Sequence, residues 1–419
     1  MTKPSVLQEL KTIRPLLLPA VVIYIFTLFV LPTFVHEWDA YCWYSWANQL
    51  KVKGLVSAYE AGSQINYLPL YTYVLKLFSY LYATDDMQAN IYKLKAITWL
   101  FDMATILLLC SLVKKESKQL RYFIFGLFNV GFFYNTMVWN QVDGILTFFV
   151  FASFFFGYHK NIFGSLVLFL LALNFKLQAI VFAPVLAVLW WPELTIKHTV
   201  RYVFLLGLLQ ALIILPFLIN GNAKNILKVT FASVDYFQFV SMNAFNFWHL
   251  ILSGDLMTTP DTTPVLFGYT YKSIGLGLFA ICAILICTPL YLKIFKSHLS
   301  KQTVHFDLNL LLLSMTLICY VFFFFNTQMH ERYIHPVIIF LTALAFLYKQ
   351  WGIWILVSLN YAFSLDSICN YFKIDQNHLF VYYADFMAAV YALGLIWLAI
   401  LWYKALPARA FYYKRLAHE

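Results

Sequence analysis

Six short segments hold most of the side chains in this 419-residue sequence that could do chemistry. The first is Val35-His36-Glu37-Trp38-Asp39-Ala40-Tyr41-Cys42-Trp43-Tyr44-Ser45-Trp46. A carboxylate in such an apolar, half-wet setting can act as a general base, because partial desolvation raises its proton affinity. Asp39 is equally well placed to be an ordinary interfacial aspartate among belt aromatics. Asn66-Tyr67-Leu68-Pro69-Leu70-Tyr71 puts Tyr67 either at a plain helix start, where proline is normal, or against a ligand. In Trp139-Asn140-Gln141-Val142-Asp143-Gly144, Asp143 either caps the next helix or joins Gln141 in holding a hydroxyl-rich ligand or the first loop. Lys176, in Asn174-Phe175-Lys176-Leu177-Gln178, either snorkels to the surface or holds a phosphate. Asn243, Asn246 and Trp248 alternate amide and aromatic groups, a pattern that suits stacking on a ring of hydroxyls and equally an interfacial amphipathic helix.

Gln328-Met329-His330-Glu331-Arg332-Tyr333 is the most informative of the six, with three ionisable residues in a row between two apolar stretches. A bland turn would use Gly, Asn or Ser. Cationic donors beside a membrane-depth cavity suit a phosphate or pyrophosphate, with Arg332 and His330 as the donors and Glu331 orienting one of them. A structural Glu331–Arg332 ion pair is the alternative.

The elements that must position these residues follow from composition. Hydrophobic residues make up 62% of the chain and charged residues 11%, against about 45–50% and 25% in soluble domains. A soluble fold, a disordered chain, a coiled coil and a disulfide scaffold are excluded. The net charge of +10 is spread along the chain without a long basic run, so nucleic acid is not an expected partner and a lipid bilayer is. With about 20 apolar residues per crossing, spans are expected near 14–35, 92–113, 120–138, 144–158, 162–176, 177–192, 201–219, 273–294, 307–326, 334–348, 351–368 and 382–403. The expectation is therefore an all-α polytopic membrane protein of about twelve spans, residues 1–419 forming a single integral membrane domain. No cleavage-site pattern follows Ala20, so the first stretch is expected to stay as a span.

Placing the N-terminus in the cytoplasm puts five of the six arginines inside, together with the run Lys114, Lys115, Lys118 and Arg121; only Arg332 falls outside. For that parity to hold, 67–82 must be a re-entrant or surface-lying helix on the outer face. Both termini are then cytoplasmic, and two long loops, about 36–91 and 220–272, lie outside. Asp39, Asp143, Lys176, His330, Glu331 and Arg332 all gather at that face, and intramembrane or membrane-edge charges of this kind are functional candidates. Asp102 alone lies mid-span, where it is either part of a permeation path or a hydrogen-bonded helix contact. Cys110, Cys282, Cys287 and Cys319 read as core fillers, and Cys42 and Cys369 as a free pair or a disulfide near the outer face. Glu37 and Asp39 could share a metal only on an extended or irregular backbone, since i,i+2 positions diverge on a helix. No metal and no other cofactor is expected.

In their order along the chain these segments resemble polytopic glycosyltransferases of the GT-C type, which take sugar from a polyprenyl-phosphate donor. Those most similar are the dolichyl-phosphate-glucose-dependent glucosyltransferases of the N-glycan pathway and the bacterial mannosyltransferase-like membrane proteins. Asp39 follows the first span with Trp46 seven residues on. Tyr67-Leu68-Pro69-Leu70 is similar to the family's Tyr-Pro-Pro-Leu, lacking the first proline. Phe101-Asp102-Met103 is similar to its Phe-Asp-Leu, Trp139-Asn140-Gln141-Val142-Asp143 to Trp-Gly-Gln-Phe-Asp, and Asn174-Phe175-Lys176 to Asn-Tyr-Lys-Gln. Asn243-Ala244-Phe245-Asn246-Phe247-Trp248 is similar to an Asn-Phe-Trp element, and His330-Glu331-Arg332-Tyr333 to a His-Glu-Lys or His-Glu-Arg near the end. The likeness covers roughly residues 14–340, and brevity and Arg332-Tyr333 favour the bacterial relatives.

The resemblance implies transfer of a hexose, mannose or glucose, to an acceptor hydroxyl on the outer or lumenal face. Asp39 would be the base. Arg332, His330 and Lys176 would bind the donor phosphate. Glu331, Gln141, Asp143, Tyr67, Glu37, Asn243 and Trp248 would orient groups or bind substrate. Displacement in one step would invert the anomeric centre. The acceptor would be a glycan, a glycolipid or a protein, and the compartment a bacterial cytoplasmic membrane or, alternatively, the endoplasmic reticulum. A polytopic transporter or lipid flippase is the rival reading; the absence of a visible internal repeat and the one-sided polar residues weigh against it.

Overall fold

A computed structural model of the chain describes residues 4–218, 222–232 and 236–406. The outermost basic residues of the expected cytoplasmic ends, Lys3, Arg409, Lys414 and Arg415, lie outside the described residues, as do 219–221 and 233–235 around the second long loop. Helix dominates. Among the described residues the only paired strands are Pro264–Leu266 and Tyr269–Thr270, a short antiparallel hairpin.

Among the described residues seven helices are long and apolar enough to cross a membrane: Ile91–Ser111, Ile196–Leu218, Tyr271–Leu299, Leu308–Phe325, Glu331–Tyr348, Trp351–Cys369 and Ala384–Ala405. That makes the chain a multi-pass membrane protein in character. Four further apolar helices, Arg14–Phe29, Asp143–Tyr158, Ile162–Phe175 and Leu177–Glu193, fall at or below the short end of the spanning range. The expected span 120–138 is not one helix. Helix Glu116–Leu127 stops, Asn129 accepts the Phe132 amide at 3.1 Å and restarts the chain, and a π-helical turn follows over Tyr134–Val138. A side chain that caps a backbone donor competes with the helix ladder at that point.

The chain divides into two compact units, Met1–Gln238 with Leu365–Ile374, and Phe239–Ser364 with Asp375–Glu419. In the first unit the crossing helix Ile91–Ser111 is largely buried, whereas only 11% of the Ile196–Leu218 window is. The latter turns Val203, Phe204 and Leu212 outward, which only a lipid environment tolerates over such a length. In the second unit Leu308–Phe325 and Glu331–Tyr348 form the centre, each 78% buried, and Tyr271–Leu299 and Ala384–Ala405 carry exposed apolar faces.

The first long loop is itself helical. Helix Glu37–Lys53, with Glu37 and Asp39 in its first turn and Lys51 and Lys53 in its last, matches the helix macrodipole at both ends. Pro69 opens helix Pro69–Leu81, the stretch expected to lie on the surface. Among the described residues no two cysteines form a disulfide.

Candidate functional site

The first unit brings Asp39 under the turn that joins the π-helical segment to helix Asp143–Tyr158. Asp39 Oδ2 accepts from His36 Nδ1 at 3.0 Å, Trp139 Nε1 at 2.7 Å and Gln141 Nε2 at 2.7 Å. Two of the donors lie about a hundred residues further on, so a tertiary contact aims this carboxylate. The turn that carries them is unusual. The Trp139 amide reaches back five residues to Tyr134 O, and Asn140 adopts a left-handed φ of 72°. π-bulges of this sort concentrate at functional sites. The His36 amide also donates to Trp139 O at 3.4 Å, and the His36 and Trp139 rings lie 5.1 Å apart. Burial, and secondarily the charge of Asp39, push the Cys42 thiol one turn along the helix above its ordinary value.

Lys95 anchors the approach to this site, and nothing in its sequence context advertised it. It is fully buried at the head of helix Lys95–Ser111, and its Nζ donates to Pro32 O at 2.8 Å and Phe34 O at 2.5 Å. Two hydrogen bonds thus tie down the strap that delivers His36 and Asp39. Lys95→Met should free that strap at a cost of about 0.5–1.5 kcal/mol per bond. The expected readout is protease cleavage within residues 30–36, slow in the wild type and fast in the variant; equal cleavage would contradict the anchoring.

Beside Asp39's turn, Lys176 Nζ meets Asp143 Oδ1 at 2.5 Å, with side-chain exposures of 11% and 2%. Lys176 does not snorkel to the surface, and Asp143 pairs with it instead of capping its own helix. The ammonium lies 5.4 Å from the Tyr67 ring centroid. Tyr67 in turn packs against Trp43, Trp46 and Tyr71 in an aromatic cluster. Tyr71 is buried, and its hydroxyl is held well above its ordinary value by burial, then by Tyr67 and Asp39. Asn174 exchanges two amide bonds with Gln210, at 2.6 and 3.0 Å.

Gly144 permits the closest approach in this region. A methyl group there would collide with the Asp102 carboxyl and with Thr98. Asp102 is wholly buried, and Thr136 Oγ1 donates to its Oδ2 at 2.6 Å. These are the features of a hydrogen-bonded helix contact, the second of the two readings open to this residue. Gly144→Ala should cost about 1–3 kcal/mol through overpacking. A lowered melting temperature in lipid checks this, and an unchanged one would contradict the contact.

In the second unit the separate motifs around Asn243 and His330 pair with each other. Met242 N donates to Met329 O at 2.9 Å, and Asn243, at φ 64°, forms a bridge with His330. The fully buried Asp261 laces the same loop: Thr327 Oγ1 and Gln328 Nε2 both donate to its Oδ2 at 2.8 Å. Arg332 Nη1 bonds Glu331 Oε1 at 2.9 Å, and His330 Nδ1 lies 3.9 Å from Glu331 Oε2. The Glu331–Arg332 ion pair therefore exists, with the guanidinium also 5.8 Å from the Tyr333 ring centroid.

Three residues expected near a ligand, Trp248, Asn246 and Glu37, have the following surroundings. Trp248 is 1% exposed, and its Nε1 donates to Phe325 O at 3.0 Å, so it packs the loop instead of offering an open stacking face. Asn246 caps the five-residue helix Phe247–Ile251 and donates to Phe323 O and Asn326 O, so this segment is no long amphipathic helix. Glu37 is exposed at the start of its helix and diverges from Asp39, as i,i+2 positions must. Among the described residues no three His, Cys, Asp or Glu side chains converge as metal ligands would.

No protein-family model matches the chain, and no curated protein matches it in sequence.

Proposed function

We propose that the protein is an integral membrane glycosyltransferase of the GT-C type. On this reading it transfers mannose or glucose from a polyprenyl phosphate to an acceptor hydroxyl at the outer or lumenal face. The observation that carries the reading is Asp39: a carboxylate at the start of a loop helix, its Oδ2 fixed by His36, Trp139 and Gln141. Such a carboxylate is pre-aimed for general-base work, and precise aiming of this kind is what catalysis demands of its base. Asp39 removes the acceptor proton as the acceptor oxygen attacks the anomeric carbon. The bond to the lipid phosphate breaks in the same step, with inversion.

The departing phosphate gains charge, and pre-placed cations stabilise it. On this reading Lys176, Arg332 and His330 take that role. Each cation already has an acidic neighbour, Asp143 or Glu331, which holds it in place before the donor arrives. On this reading the twelve expected stretches all cross or enter the bilayer, 67–82 is re-entrant or lies on its outer face, and the bacterial cytoplasmic membrane is the preferred site. Asp102 speaks against transport, since Thr136 and Gly144 enclose it in a helix contact.

The test is the stereochemistry of the product formed by purified protein in lipid from synthetic polyprenyl-phosphate mannose or glucose. An anomeric configuration opposite to the donor's is expected. Retention, or no transfer by folded protein with either donor, would contradict the reading.

A further inference from the structure

A cavity of about 320 Å³ opens in the second unit, between the end of the second long loop and the start of helix Ala384–Ala405. Asn243, His249, Ser253, Asp255, Leu256 and Asp385 line it. Its size falls near the lower end of small-molecule pockets, about 300–1,000 Å³. Its construction is deliberate in two respects. Asn243 is held left-handed by its bridge to His330, and Asp255 is fixed by its bond to the Met257 amide at 2.9 Å. His249 Nδ1 is buried and makes no hydrogen bond within the chain. Burial lowers the affinity of that ring for a proton, with Asp385 and the Ala244 backbone opposing. A buried polar atom left unpaired costs about 1–3 kcal/mol, which a ligand can return.

The lining is rich in acceptors. Two carboxylates, an amide oxygen and an imidazole nitrogen seek donors, while Leu256 and Leu252 supply an apolar floor. A phosphate is repelled by Asp255 and Asp385. A metal is unsuited, since among the described residues no three such ligands converge. A sugar ring satisfies both demands, with hydroxyls that donate and C–H faces that lie on leucine.

We propose that this cavity binds the hexose ring of a carbohydrate substrate, through hydroxyl donation to His249, Asp255 and Asp385. Its role in catalysis rests on the glycosyltransferase reading; its capacity to bind does not. Asn243 links the two, because the residue that lines the cavity is also the one bridged to His330.

The experiment uses the full chain in lipid nanodiscs carrying Ser253→Cys, an exposed position on the rim. A water-soluble maleimide labels this thiol, and methyl mannoside, methyl glucoside and their disaccharides are added as protectants. At least one of these sugars should slow labelling in a saturable way. Its apparent affinity should fall roughly tenfold in Asp385→Asn and in His249→Leu, the loss expected when one hydrogen-bond partner of the sugar is removed. Absence of protection by every sugar would overturn the proposal, as would protection unchanged in Asp385→Asn, a substitution on the surface that keeps the fold. Hexosyl transfer is measured on the same samples. Transfer without protection removes the cavity and leaves the enzyme reading; protection without transfer does the reverse.

Discussion

Asp39→Asn is expected to abolish hexosyl transfer while leaving the fold intact. The substitution keeps the volume, and the amide oxygen can accept from His36, Trp139 and Gln141 where Oδ2 does now. What is lost is the capacity to take a proton. A positioned base contributes about 10²–10⁴-fold in rate, so kcat should fall by that factor with little change in donor KM. Initial rates at saturating donor, beside thermal melting of the same preparations, measure both halves of the expectation. Wild-type turnover in the variant would remove Asp39 from the mechanism. A melting temperature lowered by many degrees would recast the three hydrogen bonds as structural.

Lys176→Met should be the most destabilising of the single substitutions considered. It leaves Asp143, 2% exposed, without its ammonium partner. Breaking a buried pair from one side costs about 3–5 kcal/mol, far more than an exposed pair is worth. Adding Asp143→Leu removes the stranded charge, so the double variant should recover most of the lost stability. That double variant separates two roles for the lysine. If Lys176 also meets the donor phosphate, the recovered protein still transfers sugar poorly. If it transfers at the wild-type rate, the lysine serves only to neutralise Asp143.

The helices were legible because apolar runs of bilayer length leave a strong one-dimensional signal. Apart from 120–138, and from 14–35, whose helix ends at Phe29, each apolar stretch read from the chain overlaps a helical segment. The exception shows what such a signal omits. Asn129 and the π-helical turn interrupt the ladder through local hydrogen bonds, while the surrounding residues stay apolar. The polar segments were legible by type and position, their partners much less so. Gln141 was a candidate for holding the first loop, but that its amide and the Trp139 indole both land on Asp39 depends on tertiary packing. Lys95 and Asp261 were invisible for a related reason. Each binds the backbone or side chains of a distant loop, and no spacing rule encodes such a target. Trp248 shows the converse. An aromatic residue beside amides fits a sugar platform in one dimension, yet in three its indole is spent on Phe325 O.

The most direct test of the central claim is the donor class. Purified protein in lipid is given one radiolabelled hexose in two forms, a synthetic polyprenyl monophosphate and the corresponding nucleotide sugar, together with an extract of acceptor glycolipids. The account predicts that label moves to acceptor from the lipid donor alone, leaving free polyprenyl phosphate. Label moving from the nucleotide sugar, or from neither donor in protein shown to be folded, would contradict it.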